Sequence, residues 1–494
     1  MKKSLVLLIA IMLCANALGC ADTGTSDSES STESPVETNV DAAESESETE
    51  EETEAYVFEG IDAKTYGGKD FNFLYRTSEE YQFYTDEYTG DATNDAVYDR
   101  NLLVESTFEC KIVGIPVDGD WGQHDAFLST MKKSIQAGDG AYDLVDGYAA
   151  TIGGAYADGL MMNLNEIEHL RLTSDWWSEL AVEELTCNGK LFGIPGDLSL
   201  NLWKNIHVLY FNKTVLSNNT LEEPYDTVKE GKWTYDKYLE MNVGIAQDLN
   251  GDGEYTMDDM YGSIYYDDLS FDNYHNAFNV SYTVQNDDGS LSLNLYQPIM
   301  VEIYEKINDL AYNNTDVYYN KGGKSDGTLP VFTQNRALFY ASILADAEKM
   351  RDMDSDFGII PYPKYDEAQE MYMSASRDTR SMFGIPIDVK DSDFSGIITE
   401  ALCVASNREV VPVYYDTVLK GKVSRDNESA EMLDIIRKGL TFDFAAEFAV
   451  QTARAGFILR DAIYYEKNYT TYYESSQKVF NKSFDNFVAY YMDE

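Results

Sequence analysis

Hydrophobic and polar positions along residues 66–200 follow two periods in turn, an alternation of every second residue and a helical repeat. Phe71, Phe73 and Tyr75 alternate with their neighbours after Gly67-Gly68, which is typical of a strand. The predicted elements are, in order, a strand over 71–75, a helix over 92–108, a strand over 110–113, a helix over 125–137 and a strand over 142–145. Strands and helices that alternate at this spacing indicate parallel βαβ units.

The middle of the chain contains a predicted hairpin followed by a change of direction. Asn188-Gly189 is the pair that best tolerates the positive φ angles of a type I′ turn, and Leu191–Ile194 forms its return arm. Pro195-Gly196-Asp197 ends this strand, and the next one runs from Ile206 to Phe211. The stretch between the two strands is rich in polar and aromatic residues, which a plain connector would not need.

Beyond residue 213 the strand and helix patterns continue, and the last hundred residues are mostly helical. We predict helices over 235–246, 272–278 and 298–312, strands over 262–266, 337–342, 357–361 and 382–387, a surface loop over 313–327, and mostly helix from 394 onward. The pattern as a whole predicts an α/β fold.

The first 57 residues differ from the rest. Lys2 and Lys3 precede an apolar run, and Gly19-Cys20 follows, so we expect residues 1–19 to be a bacterial lipoprotein signal peptide and Cys20 to be lipidated. Ala17 stands where such signals usually have leucine, and the alternative is an ordinary secretory signal with a chance cysteine. Residues 20–57 consist mainly of Ser, Thr, Glu, Asp and Ala, which predicts an acidic, disordered tether.

The net charge argues against nucleic acid and anionic lipid as partners, and the cysteine and histidine contents limit disulfides and metal sites. The formal net charge is −50, only part of which comes from the tether, so the folded body should repel nucleic acid and anionic lipid. Of five cysteines, Cys110, Cys187 and Cys403 remain beyond the leader, and they allow at most one disulfide. Four histidines without metal-like spacing argue against a zinc site.

Four motifs in a fixed order carry a family resemblance. They are the stretches 141–145 (AYDLV), 193–197 (GIPGD), 209–213 (LYFNK) and 357–361 (FGIIP). With the lipoprotein leader, they make the chain similar to bacterial extracellular solute-binding proteins of sugar ABC transporters, family 1. The resemblance spans about residues 66–490, although the last hundred carry little motif.

The resemblance implies a two-lobe, periplasmic-binding-protein-like fold of type II, the maltose-binding-protein-like form. It implies a first lobe of residues 58–200 and 343–386 and a second of 201–342 and 387–494, with crossings near Asn201, Ser342 and Ile387. The expected protein is a monomer without enzymatic activity. It would sit on the extracellular face of the membrane through its lipid anchor alone, capture a sugar or oligosaccharide between its lobes and deliver it to an ABC permease.

Seven residues are candidates for ligand contact. Aromatic rings stack on sugar faces while carboxylates and charged groups bind hydroxyls, and the candidates fall at strand ends, at lobe crossings in the family pattern, or in the polar stretches near them. They are Tyr148, Asp197, Trp203, Tyr274, Tyr340, Asp378 and Arg380. Most of the 38 tyrosines must nevertheless be core or surface residues.

Residues 248–259 have the spacing of a calcium-binding loop. Oxygen ligands occupy its first, third and fifth positions, Gly253 permits the sharp turn at the sixth, and the seventh offers a backbone carbonyl. The twelfth position has Asp259 in place of the usual glutamate. The predicted ligands of a structural calcium ion are Asp248, Asn250, Asp252, Glu254 and Asp259. The alternative is an Asp-Gly-rich turn that binds nothing.

Two other functions remain open from the sequence. A surface-anchored glycoside hydrolase would need two carboxyl groups at a fixed separation, and 87 acidic residues offer many pairs. A binding protein of the same fold could instead take a peptide, a polyamine or another non-sugar solute. The sequence does not name the ligand or the permease.

Overall fold

The computed structural model describes Phe58, Gly60, Ile61 and residues 64–267, 269–420 and 428–492, without the side chains of 418–420. The predicted signal peptide, the lipidation site Cys20 and the tether lie outside the described residues. Thirteen strands, numbered in chain order, are β1 Lys69–Arg76, β2 Cys110–Val117, β3 Leu144–Tyr148, β4 His207–Asn212, β5 Tyr261–Tyr266, β6 Thr283–Gln285, β7 Leu291–Leu293, β8 Val317–Asn320, β9 Ala337–Ile343, β10 Phe357–Ile360, β11 Ser374–Ala375, β12 Ser381–Gly384 and β13 Leu440–Thr441.

The helices flank two larger sheets. The α-helices are Glu80–Phe83, Ala92–Phe108, His124–Ala137, Ala149–Ala157, Glu179–Leu185, Asn201–Lys204, Lys213–Asn218, Tyr225–Lys229, Tyr235–Asn242, Asn273–Ala277, Pro298–Tyr312, Ser325–Thr333, Asp346–Lys349, Ser392–Ala405, Val411–Lys420, Glu428–Lys438, Phe444–Glu447, Ile458–Tyr464 and Tyr469–Met492. Short 3-10 turns lie at Thr77–Glu79, Leu164–Glu166, Leu269–Phe271 and Ala455–Phe457, and a π-helical turn lies at Ser406–Val410.

The first lobe is built on a four-stranded sheet with the order β12-β3-β1-β2. Strand β1 lies parallel to both β2 and β3, as the alternating pattern predicted, and β12 joins antiparallel to β3. The alternation of β1 buries Phe71 and Phe73 at 0% and 1% exposure. The helix Ala92–Phe108 begins where the Asp91 side chain accepts hydrogen bonds from the N–H groups of Thr93 and Asn94, as an N-cap does.

The second lobe is built on a five-stranded sheet with the order β10-β4-β9-β5-β8. Strand β4 is antiparallel to both of its neighbours, β10 and β9, while β5 runs parallel to β9 and β8. All six residues of β4 are buried, so the strand lacks the alternation of a half-exposed sheet. The architecture is therefore the predicted α/β fold with two open sheets.

The lobe segments differ from the predicted ones at two places. Strand β10 was predicted within the first lobe, but it pairs with β4 in the second sheet, and the chain rejoins the first sheet only at β12. The helix Ser392–Ala405, predicted in the second lobe, packs on the first, where the Phe394 ring lies 4.5 Å from that of Tyr66 and 5.8 Å from that of Phe71. Strand pairing and ring packing between residues far apart in sequence determine the lobe to which each of these two elements belongs.

Two local predictions also have clear outcomes. Asn188 and Gly189 have φ angles of 51° and 71°, which confirms the turn with two positive φ angles. The return arm makes isolated bridges only, at Lys190 with Cys187 and at Ile194 with Phe383. The prediction of a loop over 313–327 is wrong, because it contains strand β8 and the start of the helix Ser325–Thr333.

The three body cysteines, Cys110, Cys187 and Cys403, are buried, and each is a free thiol. Burial raises the pKa of the Cys110 thiol to about 12, so this group behaves as a small apolar side chain. Among the residues that the structure describes, no helix has both the length and the hydrophobicity needed to cross a bilayer.

Candidate ligand-binding site

A polar cavity lies where the two lobes and their connections meet. In this arrangement of the lobes its volume is about 40 Å³, well below the roughly 300–1,000 Å³ typical of small-molecule sites, so a solute would need the lobes to move apart. Its wall comes from His207 at the start of β4, from the segment 272–276 of the second lobe, and from residues 375–378 beside β11. The segments 442–447 and 456–457 complete it. Phe448, which follows the first of them, packs against the first lobe with its ring 5.7 Å from that of Tyr156. The second lobe and the connecting segments therefore supply the lining residues, and the first lobe adjoins the cavity.

Of the predicted ligand contacts, Asp378 lines the cavity directly. Among the described residues its carboxylate accepts no hydrogen bond, and its nearest cation is the Arg460 guanidinium at 3.9 Å. Arg460 itself pairs with Asp272, another lining residue, at 2.5 Å. The Asp378 carboxylate is thus available to accept hydrogen bonds from a bound solute.

Arg380 and Tyr148 lie close to the cavity without lining it. Arg380 is fully buried and donates to the carboxylate of Glu447, which is a lining residue. Arg380 therefore fixes the position of a lining side chain without lining the cavity itself. Tyr148 ends β3 with 8% exposure, and the Arg76 guanidinium lies 5.2 Å from its ring centre. Burial raises the pKa of Tyr148, and Asp378 adds to the effect, which places this ring near the same carboxylate.

Tyr274 and Tyr340 lie in the core of the second lobe. The Tyr274 hydroxyl is 2.6 Å from that of Tyr265, which is in turn 2.7 Å from that of Tyr238. Tyr340 donates to Asp346 at 2.9 Å. Both rings are completely buried and their hydroxyls are satisfied inside the protein, so neither belongs to the cavity.

Asp197 and Trp203 meet at a different place. The Trp203 indole N–H donates to the Asp197 carboxylate at 2.7 Å, and Asn407 donates to its other oxygen at 2.6 Å. Burial raises the pKa of Asp197 to about 6, while Asn407, Arg437 and Trp203 oppose the shift. Both residues line a wide, open groove that is separate from the cavity and shared with the helix Glu428–Lys438. The Arg437 guanidinium covers the Trp203 ring at 4.8 Å from its centre.

Three of the lining residues outside the seven candidates are His207, His275 and Arg377, the last of them in the same polar segment 376–380 as the candidates Asp378 and Arg380. Each has a buried nitrogen without a hydrogen-bond partner: Nδ1 of His207, Nε2 of His275 and Nε of Arg377. Burial lowers the pKa of His275 to about 4 and holds that of His207 well below its usual range, so both imidazoles are neutral at pH 7. Unpaired buried polar atoms are costly, and a cavity that holds several is suited to a polar ligand.

The end of β1 is tied to the chain segment that leads into β12. Arg76 donates to the buried Asp146 carboxylate at 3.1 Å, to the carbonyl of Thr379 at 3.1 Å and to the hydroxyl of Ser381 at 3.0 Å. Beside it, the Glu79 carboxylate accepts from the side-chain amide of Asn201 at 2.8 Å, at the predicted crossing. These bonds join the first lobe to two of its connections.

The loop 248–259 is held by hydrogen bonds from its backbone N–H groups to its own side chains. Asp248 accepts hydrogen bonds from the N–H groups of Gly251 and Gly253 at 2.7 and 2.9 Å, and Asn250 from that of Asp252 at 2.9 Å. Oxygen donors at its first, third and fifth positions fit a hard cation. The carboxylate of Asp259 is buried and accepts N–H bonds from Leu249 and Thr256, which lower its pKa.

Comparison with known proteins shows similarity at the level of structure. No family model and no curated protein sequence matches the chain. Among solved structures, UspC of Mycobacterium tuberculosis superposes with a TM-score of 0.56 at 13% identity, over 84% of this chain and 100% of that one. UgpB of M. tuberculosis in complex with glycerophosphocholine gives 0.55 at 13%, over 85% and 99%.

A third solved structure is that of an ABC-transporter solute-binding protein. An ABC transporter solute-binding protein of Thermotoga lettingae, bound with α-D-tagatose, gives a TM-score of 0.54 at 13% identity, over 84% of this chain and 100% of that one. The chain therefore has the two-lobe, maltose-binding-protein-like fold of ABC-transporter solute-binding proteins, as the sequence motifs predicted. At this level of identity the comparison concerns the fold.

Proposed function

We propose that this protein is an extracellular solute-binding protein that captures a sugar or oligosaccharide between its lobes and delivers it to an ABC permease. The observation that carries the proposal is the polar cavity beside the lobe junction, which is lined by the second lobe and the connecting segments, adjoins the first lobe and holds buried polar atoms without partners. Lipidation of Cys20 would hold a monomer at the outer face of the membrane on the tether of residues 20–57. The work is recognition rather than catalysis.

A ligand that touches both lobes favours the closed arrangement only to the extent that it binds that form more tightly. Asp378 on the connecting segment and Asn276 on the second lobe suit hydroxyl groups, which donate to carboxylates and amides. The neutral histidines can donate or accept according to tautomer. The stacking role expected for Trp203 is not part of this proposal, because its indole N–H and ring face are already engaged by Asp197 and Arg437.

We expect Asp378→Asn to weaken solute binding about tenfold, because it replaces a charge-assisted hydrogen bond with a neutral one. D-tagatose, maltotetraose and glycerophosphocholine are the first probes for thermal-shift screening, followed by titration calorimetry of whichever binds. The matched control is Asp352→Asn, an exposed aspartate that should leave the affinity unchanged. Small-angle scattering should show compaction at saturation.

If Asp378→Asn and the wild type bind the solute with equal affinity, the cavity is not the solute-binding site. Binding of glycerophosphocholine without any sugar would favour the non-sugar alternative. Release of reducing sugar from maltotetraose would favour the glycoside hydrolase.

We also propose that the loop 248–259 holds one structural calcium ion through Asp248, Asn250, Asp252, the Glu254 carbonyl and Asp259. A ligand that binds only the native state stabilises it, so excess calcium should raise the melting temperature of the chelator-treated protein by about 2–4 °C. Asp252→Ala should abolish the difference, while Asp258→Ala, an exposed loop position outside the ligand set, should retain it. A wild-type protein that contains no calcium by elemental analysis and is indifferent to chelator would refute this proposal.

A further inference from the structure

Arg377 is a cation without a counter-ion on the wall of the cavity. Its guanidinium donates one hydrogen bond, to the Tyr266 hydroxyl, and its buried Nε has no partner. Within the part of the chain that the structure describes, no carboxylate forms a salt bridge with it at 4.0 Å or less. In a chain of 87 acidic and 37 basic residues, a partly buried arginine whose Nε is enclosed and which pairs with no acid needs a reason.

The other buried arginines show what the fold normally provides. Arg76 pairs with Asp146, and Arg380 pairs with Glu447. Arg100 has no carboxylate, but all three of its nitrogens donate, to the carbonyls of residues 82 and 83, to the Asn101 side chain and to the Ser406 hydroxyl. Structural arginines in this protein are thus satisfied either by an acid or by several neutral oxygens, and Arg377 is satisfied by neither.

Two neighbouring side chains are unsatisfied in the same way. The hydroxyl of Ser376 and the Nδ1 atom of His207 have no hydrogen-bond partner, and the two residues are 4% and 1% exposed. Ser376 forms a β-bridge with Ile206, which sets it beside His207. The proximity of Arg377 lowers the pKa of His207, after the larger effect of burial, so this imidazole stays neutral. A guanidinium, a hydroxyl and an imidazole therefore share one end of the cavity.

The acids of the cavity do not neutralise this end, because most of them are already engaged. Asp272 pairs with Arg460 and Glu447 with Arg380. Asp443 accepts from the N–H groups of Tyr282 and Thr283 and from the hydroxyls of Ser281 and Thr283. Among the described acids of the cavity, the Asp378 carboxylate is the one that accepts no hydrogen bond, although it lies 3.9 Å from the Arg460 guanidinium, so it can accept hydroxyl groups.

We propose that the solute carries an anionic group, a carboxylate or a phosphate or sulfate ester, and that Arg377 binds this group together with Ser376 and His207. Charge-assisted bonds from a guanidinium to such oxygens are among the stronger hydrogen bonds, and arginine presents several donors to them at once. The remaining hydroxyls of the solute would face Asp378 and Asn276. The inference rests on the proposed function, since it assigns the charge of the solute that the same cavity holds.

The test compares matched neutral and anionic probes on the full chain by titration calorimetry. The probes are D-glucose, D-glucuronate, D-glucose 6-phosphate and D-glucose 6-sulfate, with 4-O-α-D-galactosyl-D-galactose and digalacturonate as a longer pair. At least one anionic probe should bind more tightly than its neutral counterpart. Arg377→Gln should weaken that binding by about tenfold or more and change the affinity for the neutral counterpart by less than about threefold. Arg377→Lys should restore part of the loss.

Arg351→Gln is the matched control, because Arg351 is exposed and should leave all affinities unchanged. The carboxylate, phosphate and sulfate arms identify which anion the site takes. If neutral sugars bind and the anionic probes do not, this inference is wrong and the solute-binding function stands. If Arg377→Gln lowers neutral and anionic binding equally, Arg377 is merely structural and the inference also fails. If no probe binds, both the inference and the proposed function are overturned.

Discussion

Replacing Arg380 with methionine should lower the free energy of unfolding by about 3–5 kcal/mol, because it leaves a buried carboxylate without its partner. Arg380 and Glu447 are 0% and 5% exposed, and the guanidinium also donates to the carbonyls of Ser376 and Arg377 at 3.1 Å. Burial raises the pKa of Glu447, and the nearby Arg380 opposes that shift because its charge stabilises the ionised carboxylate. Urea unfolding followed by tryptophan fluorescence measures the loss.

A double variant separates the ion pair from simple packing. Arg380→Met with Glu447→Leu removes both charges, so it should recover much of the stability that the single variant loses. Lys232→Met is the surface control, since Lys232 and Glu230 form a pair whose side chains are 58% and 60% exposed, and it should change stability little. A single variant as stable as the wild type would mean that solvent reaches Glu447.

The connection between this ion pair and binding is geometric. Arg380 lies between the Asp378 carboxylate and strand β12, and Glu447 lines the cavity, so the pair fixes one wall relative to the strand that returns to the first lobe. Methionine at this position should therefore also weaken solute binding, although it touches no ligand.

Local sequence signals predicted the regular elements well wherever periodicity and caps agreed. The helices over 92–108 and 298–312 were predicted with the bounds that the structure has, because the first follows Asp91, a residue type favoured as an N-cap, and the second has a helical hydrophobic repeat that begins with a proline. Strand β8 was missed because it has only four residues at the edge of a sheet, and its pairing partner β5 lies some 50 residues earlier. Edge pairing is a tertiary property that a local pattern does not contain.

The candidate site was predicted only in part, for a related reason. Asp378 was found because it lies just before a predicted strand, in a polar segment. Tyr274 and Tyr340 were chosen by family position, but their hydroxyls bond to Tyr265 and Asp346 inside the second lobe, and 38 tyrosines give no local sign of which are core. His207 was missed because a single histidine in an apolar strand usually means a core residue. The pairing of residues 205–206 with residues 376–377, which are far apart in sequence, brings it to Arg377.

Glu79 should make the stability of the protein fall as pH rises from about 5 to 8. Burial raises the pKa of its carboxyl to about 7, helped by Asp146 and Asp120 and opposed by Arg76 and Asn201. In the unfolded chain the same group titrates near its ordinary value of 4.5. Between these values the native state holds a proton that the unfolded state has released, so stability is full below about 4.5 and is lost as pH rises through 7. The complete loss amounts to about 3 kcal/mol.

Glu79→Gln removes this titration while keeping an oxygen that can accept from Gln82 and Asn201, whose side-chain nitrogens lie 2.7 and 2.8 Å from the Glu79 carboxylate. The free energy of unfolding, measured in urea at pH 5 and pH 8, should therefore fall by about 2.5 kcal/mol less in the variant than in the wild type. Glu87→Gln, an exposed glutamate of the same lobe, should follow the wild type. Because Asn201 lies at the crossing into the second lobe, a titrating Glu79 would also make that connection depend on pH. Equal pH dependence in Glu79→Gln and the wild type would mean that Glu79 is ionised in the native protein throughout this range.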